Sequence, residues 1–250
     1  MPTLKPVSAR STLLSLLLGA DESFLSPRDL VAAAGAVGVA EPTVRVALSR
    51  MTSTGDVVRD DDGRYGLSAR LLARQRRQED SIRPRTVAWR GRWEMVVVTA
   101  SGRSAAERAD LRTALTDLRL AELREGVWTR PANLRLALPE DVATGVERFV
   151  ASPAADAAEL AARLWDLAGW SQRARALLAA TRTADTVERF TACVTSVSHL
   201  LKDPLLPVEL LPADWPGDEL REAHLASRTW INELRRGATS GAGSTASSAG

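Results

Sequence analysis

Glu41-Pro-Thr43-Val-Arg45-Val-Ala-Leu-Ser49-Arg50-Met-Thr-Ser-Thr-Gly55 runs directly into Asp56-Val-Val-Arg59-Asp-Asp-Asp-Gly63-Arg64-Tyr-Gly66. Glu-Pro suits the first turn of a helix and Gly55 ends it. Val44, Ala47, Leu48 and Met51 follow helical spacing and form a core face. Arg45, Ser49 and Thr52 take the opposite side, flanked by Thr43 and Arg50. The segment that follows reads as a hairpin, with Asp-Gly in its turn and Arg59 and Arg64 on its two arms. Arginine pairs with guanine in the major groove, and hydroxyls reach phosphates or bases. A helix alone would pass for a solvated, arginine-bearing face. Helix and hairpin together predict the recognition helix and wing of a winged helix-turn-helix on DNA. The triplet Asp60, Asp61, Asp62 would repel phosphate, so either the wing tip points away from the duplex or the wing contributes little.

Upstream, Ser8 or Ala9 opens a first helix through Leu18, with Gly19 at its end. Ser26-Pro27-Arg28-Asp29 is a helix start with a capping side chain and an acid in the first turn. That second helix runs to about Ala34, and Gly35 to Val39 form the turn. The DNA-contacting set is therefore Arg10, Thr43, Arg45, Ser49, Arg50, Arg59 and Arg64. Arg70, Arg74, Arg76 and Arg77 follow on a helix from Ser68 to about Gln78, as solvated surface or as a phosphate-contacting tail.

The charge distribution agrees. Residues 1–92 carry 15 Lys or Arg against 10 Asp or Glu, whereas the rest carries 18 against 21. Positive charge thus sits with the DNA element, as attraction to phosphate requires. Lys5 and Lys202 are the only lysines, and the arginine excess throughout the chain fits the coding bias of a GC-rich genome. A single cysteine, Cys193, leaves no internal disulfide framework and no cysteine zinc cluster. No apolar run approaches the ~18 residues of a membrane span. Ser11 to Leu18 is too short for a signal peptide. A cytoplasmic protein without a membrane partner is expected.

An α+β chain of several parts emerges. A winged helix-turn-helix covers 1–78, a linker with Pro84 covers 79–92, and a ferredoxin-like domain covers 93–152. A helical C-terminal domain at 153–236 and a disordered Gly/Ala/Ser/Thr tail at 237–250 complete it. In the middle part, Trp93 to Ala100 reads as a fully buried strand and Ser104 to Leu120 as a helix. Val127 to Arg130 and Leu134 to Leu138 read as strands, Pro139 to Thr144 as a helix start, and Val146 to Ala151 as a last strand. The order β-α-β-β-α-β is that of a ferredoxin-like fold. Small metal-dependent nucleases of the Cas2 type share it, but they hold their cation with an acid at the end of the first strand. Here that position reads Thr99-Ala100-Ser101. The Cas2-like part is expected to dimerise. Beyond it, Leu160, Leu164, Leu167, Leu177 and Leu178 mark helices, interrupted from Asp203 to Gly217 by an extended, proline-stiffened strap.

These segments together resemble one family. Arg45-Val-Ala-Leu-Ser49-Arg50-Met51 with Gly55 is similar to the recognition helix of the PaaX-like regulators, the phenylacetic acid catabolism repressors. Trp89-Arg-Gly91-Arg-Trp93, Gly126-Val-Trp128-Thr-Arg130-Pro131-Ala-Asn133-Leu134 and Leu164-Trp165-Asp166-Leu167 follow in the family's order. So does Asp203-Pro-Leu-Leu-Pro207-Val-Glu209-Leu-Leu-Pro212, continuing to Trp215-Pro-Gly217. The resemblance spans roughly Ser8 to Leu234. It implies a homodimeric repressor bound to a double-stranded DNA operator and released by an aryl-acyl-CoA effector, typically phenylacetyl-CoA.

Such an effector needs cations for its phosphates and an apolar slot for its acyl group. Trp128 and Arg130, with Arg163 and Trp165 opposite them, are the effector candidates; tryptophans at these places serve equally as core. His199 is either a hydrogen-bonded structural histidine or a further effector contact. His199 and His224 are the only histidines, and neither has a metal-ligand companion at i+4. No phosphate loop and no Ser-His-Asp set is legible, so no catalytic residue, metal or cofactor is expected. A sequence-nonspecific DNA-architectural protein and a thioester-processing enzyme are the competing readings.

Overall fold

In the computed structural model, residues 4–246 are described except Gly19, Asp21 and Pro84, so the expected end of the first helix at Gly19 lies outside the described residues. The chain divides into two compact units. The first is Met1–Ile82 with Arg173–Leu201 and Pro216–Gly250; the second is Arg83–Gln172 with Lys202–Trp215.

The first unit begins with α1 (Ala9–Leu18), β1 (Phe24–Leu25), α2 (Pro27–Ala36), α3 (Glu41–Ser53), β2 (Val57–Arg59), β3 (Tyr65–Leu67) and α4 (Ala69–Ile82). The strands form an antiparallel sheet in the order β1-β3-β2. Three helices followed by a hairpin on a small sheet make a winged helix. Its local signals are those of the sequence. Ser26 caps α2 by accepting from the Asp29 N–H at 3.1 Å, a bond that stabilises a helix by about 1 kcal/mol. Gly55 takes φ +69° after α3, a left-handed conformation that glycine adopts at little cost.

The core of this winged helix is completed by helices from further along the chain. Leu13, Leu16, Leu30, Val44, Leu48 and Met51 pack into one cluster with Phe190 and Cys193 of α9 (Thr186–Leu200) and Ile231 of α10 (Gly217–Ala246). The compact units therefore cut across the consecutive segments expected from sequence, since α9 and α10 close the underside of the winged helix. Helix α10 also runs on through Ala246, so the expected tail is helical from Gly237 to Ala246, and residues 247–250 lie outside the described ones. The linker is shortened in the same way, because α4 continues to Ile82.

The second unit holds β4 (Trp93–Val98), α5 (Ala105–Asp117), β5 (Ala121–Arg124), β6 (Val127–Pro131), α6 (Glu140–Ala143) and β7 (Val146–Ala151). The order β5-β6-β4-β7, antiparallel throughout, is ferredoxin-like. One expected strand is replaced. Leu134 to Leu138 alternates like a strand but makes only an isolated bridge, Thr86 to Leu134. The second strand is Ala121–Arg124, whose Ala-Glu-Leu-Arg favours helix and hides it. Strand β4 is also less enclosed than its apolar run suggests, since Met95, Val97 and Val98 are only half-buried.

Side chains alternate across this sheet. One face carries Val96 and Trp128 against Leu115 and Leu120. On the same face Glu94 accepts two 2.8 Å hydrogen bonds from Arg148, which hold that guanidinium's pKa above its ordinary value. The other face carries Trp93, packed with Leu160 and Ala161 of α7 (Ala157–Leu164) and with Leu206 and Leu210. Those leucines belong to the proline-rich strap. It is packed, as expected, but Pro207 opens a 3-10 turn at Val208–Leu210, so it is not extended throughout. Trp215 closes the strap by stacking on Trp170 at 4.3 Å, near the start of α8 (Leu167–Thr181).

Candidate nucleic-acid interface

Helix α3 separates its faces sharply. Val44, Leu48 and Met51 are buried, whereas Thr43, Arg45, Ser49 and Arg50 are exposed. At 3.6 residues per turn, the side chain most directly opposed to the core is Val46, with Ser49 beside it. Val46 is 52% exposed. Sequence reasoning assigned Val46 to neither face; its place on the helical wheel, opposite Leu48 and Met51, was the available signal. A valine there offers methyls to a thymine C5-methyl, while Ser49 and Thr43 offer hydroxyls.

The arginines differ in what they have left to give. The Arg50 guanidinium has no hydrogen-bond or ion-pair partner among the described residues, and it stands on the exposed side of α3. Arg45 is exposed but reaches back one turn to Glu41, at 2.6 Å. Such an exposed i,i+4 pair is weak, about 0.3–0.5 kcal/mol, so a base or phosphate competes for Arg45 at little cost. Thr52, placed on the outer side by sequence, turns its hydroxyl to the Leu48 carbonyl at 2.9 Å.

Arg10 has a different duty. Its Nε and Nη2 donate to one oxygen of Asp56, at 3.1 and 2.8 Å, and Arg70 approaches the other oxygen at 3.3 Å. Asp56 stands between α3 and β2, so this pair of arginines fastens α1 and α4 to the base of the wing. The hydrogen bond from Arg10 is the largest influence holding the Asp56 carboxyl below its ordinary range. Sequence reasoning assigned Arg10 to DNA; the structure gives its guanidinium an internal partner.

The wing is similarly self-satisfied. Arg64 pairs with Asp60 at 2.8 Å and with Asp62 at 3.1 Å. Asp60 also accepts the Arg64 backbone N–H at 2.8 Å. Arg59 donates to the Gly63 carbonyl at 3.1 Å and lies 5.7 Å from the Tyr65 ring centroid. Two of the three troublesome carboxylates are thereby neutralised within the hairpin. The cations of the wing are committed at the same stroke, leaving α3 as the stronger contact surface.

The effector candidates are not gathered at one place. Arg130 is 1% exposed, and its guanidinium donates to the carbonyls of Pro131 and Leu118 and to Asn133 Oδ1, at 3.1–3.2 Å. Burial lowers its pKa to about 10, so it stays charged at neutral pH, but the charge is spent inside the fold. Trp128 and Trp165 lie on opposite faces of the sheet: Trp128 is in register with Val96, while Trp165 packs 6.2 Å from Trp93. Arg163 is exposed in the last turn of α7. His199 is half-buried on α9, in the first unit. No helix among the described residues is long and apolar enough to cross a membrane.

A winged helix presenting a polar, arginine-bearing third helix, joined to a ferredoxin-like domain, defines a winged-helix regulator. The chain belongs to the PaaX-like family of transcriptional regulators. Residues 8–71 match the PaaX-like protein family, residues 86–159 the PaaX protein central Cas2-like domain, and residues 160–239 the PaaX-like protein C-terminal domain. Among solved structures, the chain is similar to the uncharacterized protein Rv0674 from Mycobacterium tuberculosis. The two share 48% identity over 93% of this chain and 99% of that one, with a TM-score of 0.84. No curated protein matches the chain.

Proposed function

We propose that the protein is a homodimeric, cytoplasmic repressor that binds an inverted-repeat operator of an aromatic, phenylacetate-type catabolic operon. An aryl-acyl-CoA such as phenylacetyl-CoA releases it. The observation that carries the DNA reading is the outward face of α3, where Thr43, Val46, Ser49 and an uncommitted Arg50 stand together, directly opposite the buried Leu48 and Met51. Two such helices in a dimer enter successive major grooves about one helical turn apart. Family membership supports the regulatory role and the pathway.

The test is fluorescence anisotropy of the full chain on its own promoter and on scrambled DNA of equal length. Preference for the promoter, relieved by phenylacetyl-CoA, supports the reading. Equal affinity for both would favour the architectural alternative.

A further inference from the structure

A cleft of about 300 Å³ opens between α5 and the β5–β6 hairpin, entirely within the ferredoxin-like domain. That is the lower end of the range for small-molecule sites. Val98, Leu111 and Trp128 give it an apolar floor; Arg103, Arg108 and Arg112 line its rim, against Glu122 and Glu125. Arg112 is bonded to Glu122, and its Cζ stands 5.6 Å from the Trp128 ring centroid. Arg108 donates to the Arg103 carbonyl at 2.7 Å, which holds the loop before α5 in place.

Arg103 is the unusual member. Its Nη1 is buried and has no hydrogen-bond partner among the described residues. A buried donor without an acceptor is costly, even though Arg103 as a whole is only half-buried and its charge also acts on Glu107. The protein nonetheless builds room for it: a Cβ on Gly145 would overlap Arg103 Nη2 and stand 3.1 Å from Cζ. A guanidinium seated in a glycine slot with one nitrogen unsatisfied, beside an aromatic floor, suits an anion carried on an apolar body.

We propose that this cleft binds a small molecule with a flat apolar body and a phosphate or carboxylate head, the body against Trp128 and the head paired with Arg103 and with Arg112, whose exposed pair with Glu122 opens at little cost to receive it. As a ligand site it stands apart from the DNA reading; as the effector site of a regulator it rests on that reading. Of the sequence candidates, Trp128 belongs to it, and Arg103 and Arg112 replace Arg130 as its cations.

The experiment follows the indole N–H signals of the full chain by NMR, with the Trp128 signal assigned by its loss in Trp128→Phe. Phenyl phosphate, inorganic phosphate and phenol are titrated separately. Phenyl phosphate should shift the Trp128 signal saturably, at least tenfold more tightly than either fragment. Arg103→Gln and Arg112→Gln should each weaken it tenfold or more. Arg103 is packed into the fold, but the Arg112 side chain is 62% exposed, so Arg112→Gln tests the site without risk to folding. Absence of a saturable shift at Trp128, or unchanged affinity in Arg112→Gln, would overturn the proposal. A chain that binds phenyl phosphate here yet shows no promoter preference would sustain the site and refute the regulator.

Discussion

Arg10 and Asp56 are joined through a single carboxylate oxygen, Nε and Nη2 converging on Oδ2 at 3.1 and 2.8 Å. The pair bridges the first helix and the root of the wing across 46 residues of sequence. Arg10→Ala is expected to lower stability by about 1 kcal/mol, below the usual ~1.5–3 kcal/mol of a hydrogen bond to a charged group because the Arg10 side chain is 47% exposed and screened by solvent. Promoter affinity and its salt dependence should be unaffected in the folded fraction. Thermal melts and anisotropy on the same preparations check both; a smaller salt slope would return Arg10 to the DNA-contacting set.

The same pair sets an acid limit. The Asp56 carboxyl is depressed in the fold by Arg10, Thr54 and Arg70, so the folded state binds its proton less readily than the unfolded chain. Its stabilisation is complete above the ordinary carboxylate pKa of about 4 and is lost as pH falls through the folded value. Asp56→Asn should remove that contribution and flatten the stability profile below about pH 4. Urea melts from pH 7 to pH 3 supply the comparison.

Arg50→Ala should weaken promoter binding by roughly 1–3 kcal/mol if the guanidinium reads a guanine, with relaxed preference at one position. Equal weakening on promoter and scrambled DNA, with the log–log salt slope reduced by about one, would assign it to a phosphate. Arg64→Ala, which removes a cation already held by Asp60 and Asp62, should cost promoter affinity less than Arg50→Ala.

Val46→Ala should reduce promoter affinity by about 1 kcal/mol through lost methyl contact. Replacing thymines of the promoter by deoxyuridine removes the methyls from the other side. At the contacted base, the protein change and the DNA change should not add. Full additivity at every thymine would show that Val46 touches none of them.

Arg130→Lys should destabilise strongly, by about 2–4 kcal/mol, because one ammonium cannot serve Pro131, Leu118 and Asn133 from the planar geometry of a guanidinium. Denaturant melts measure the loss. A stability within 0.5 kcal/mol of the wild type would remove the structural role given to this arginine.

Much of the architecture was legible because local chemistry and tertiary fate coincide. Ser26-Pro27, Glu41-Pro42 and Gly55 mark helix ends where the backbone needs them, and Asp-Gly marks the hairpin. Sequence failed where a long-range partner decides. Leu134, Leu136 and Leu138 alternate like a strand, but β6 already has β4 and β5 as its neighbours. Arg10 looks like a phosphate ligand until Asp56, 46 residues away in sequence, is found beside it. Arg130 and Arg103 are indistinguishable in sequence, yet one is fully bonded and the other carries an unpartnered nitrogen. Spacing records the local pairs of Arg45 and Arg64, whereas the state of Arg10, Arg103 and Arg130 is a property of distant three-dimensional neighbours.

Because Phe190, Cys193 and Ile231 complete the core beneath α1, α2 and α3, the winged helix is finished by helices that lie far downstream in the chain. During synthesis, the underside of the winged helix stays open until α9 and α10 have been translated. A message stopped before α10 yields a winged helix with apolar residues in water, a target for proteolysis. The fold thus ties the stability of the winged helix to the synthesis of α9 and α10.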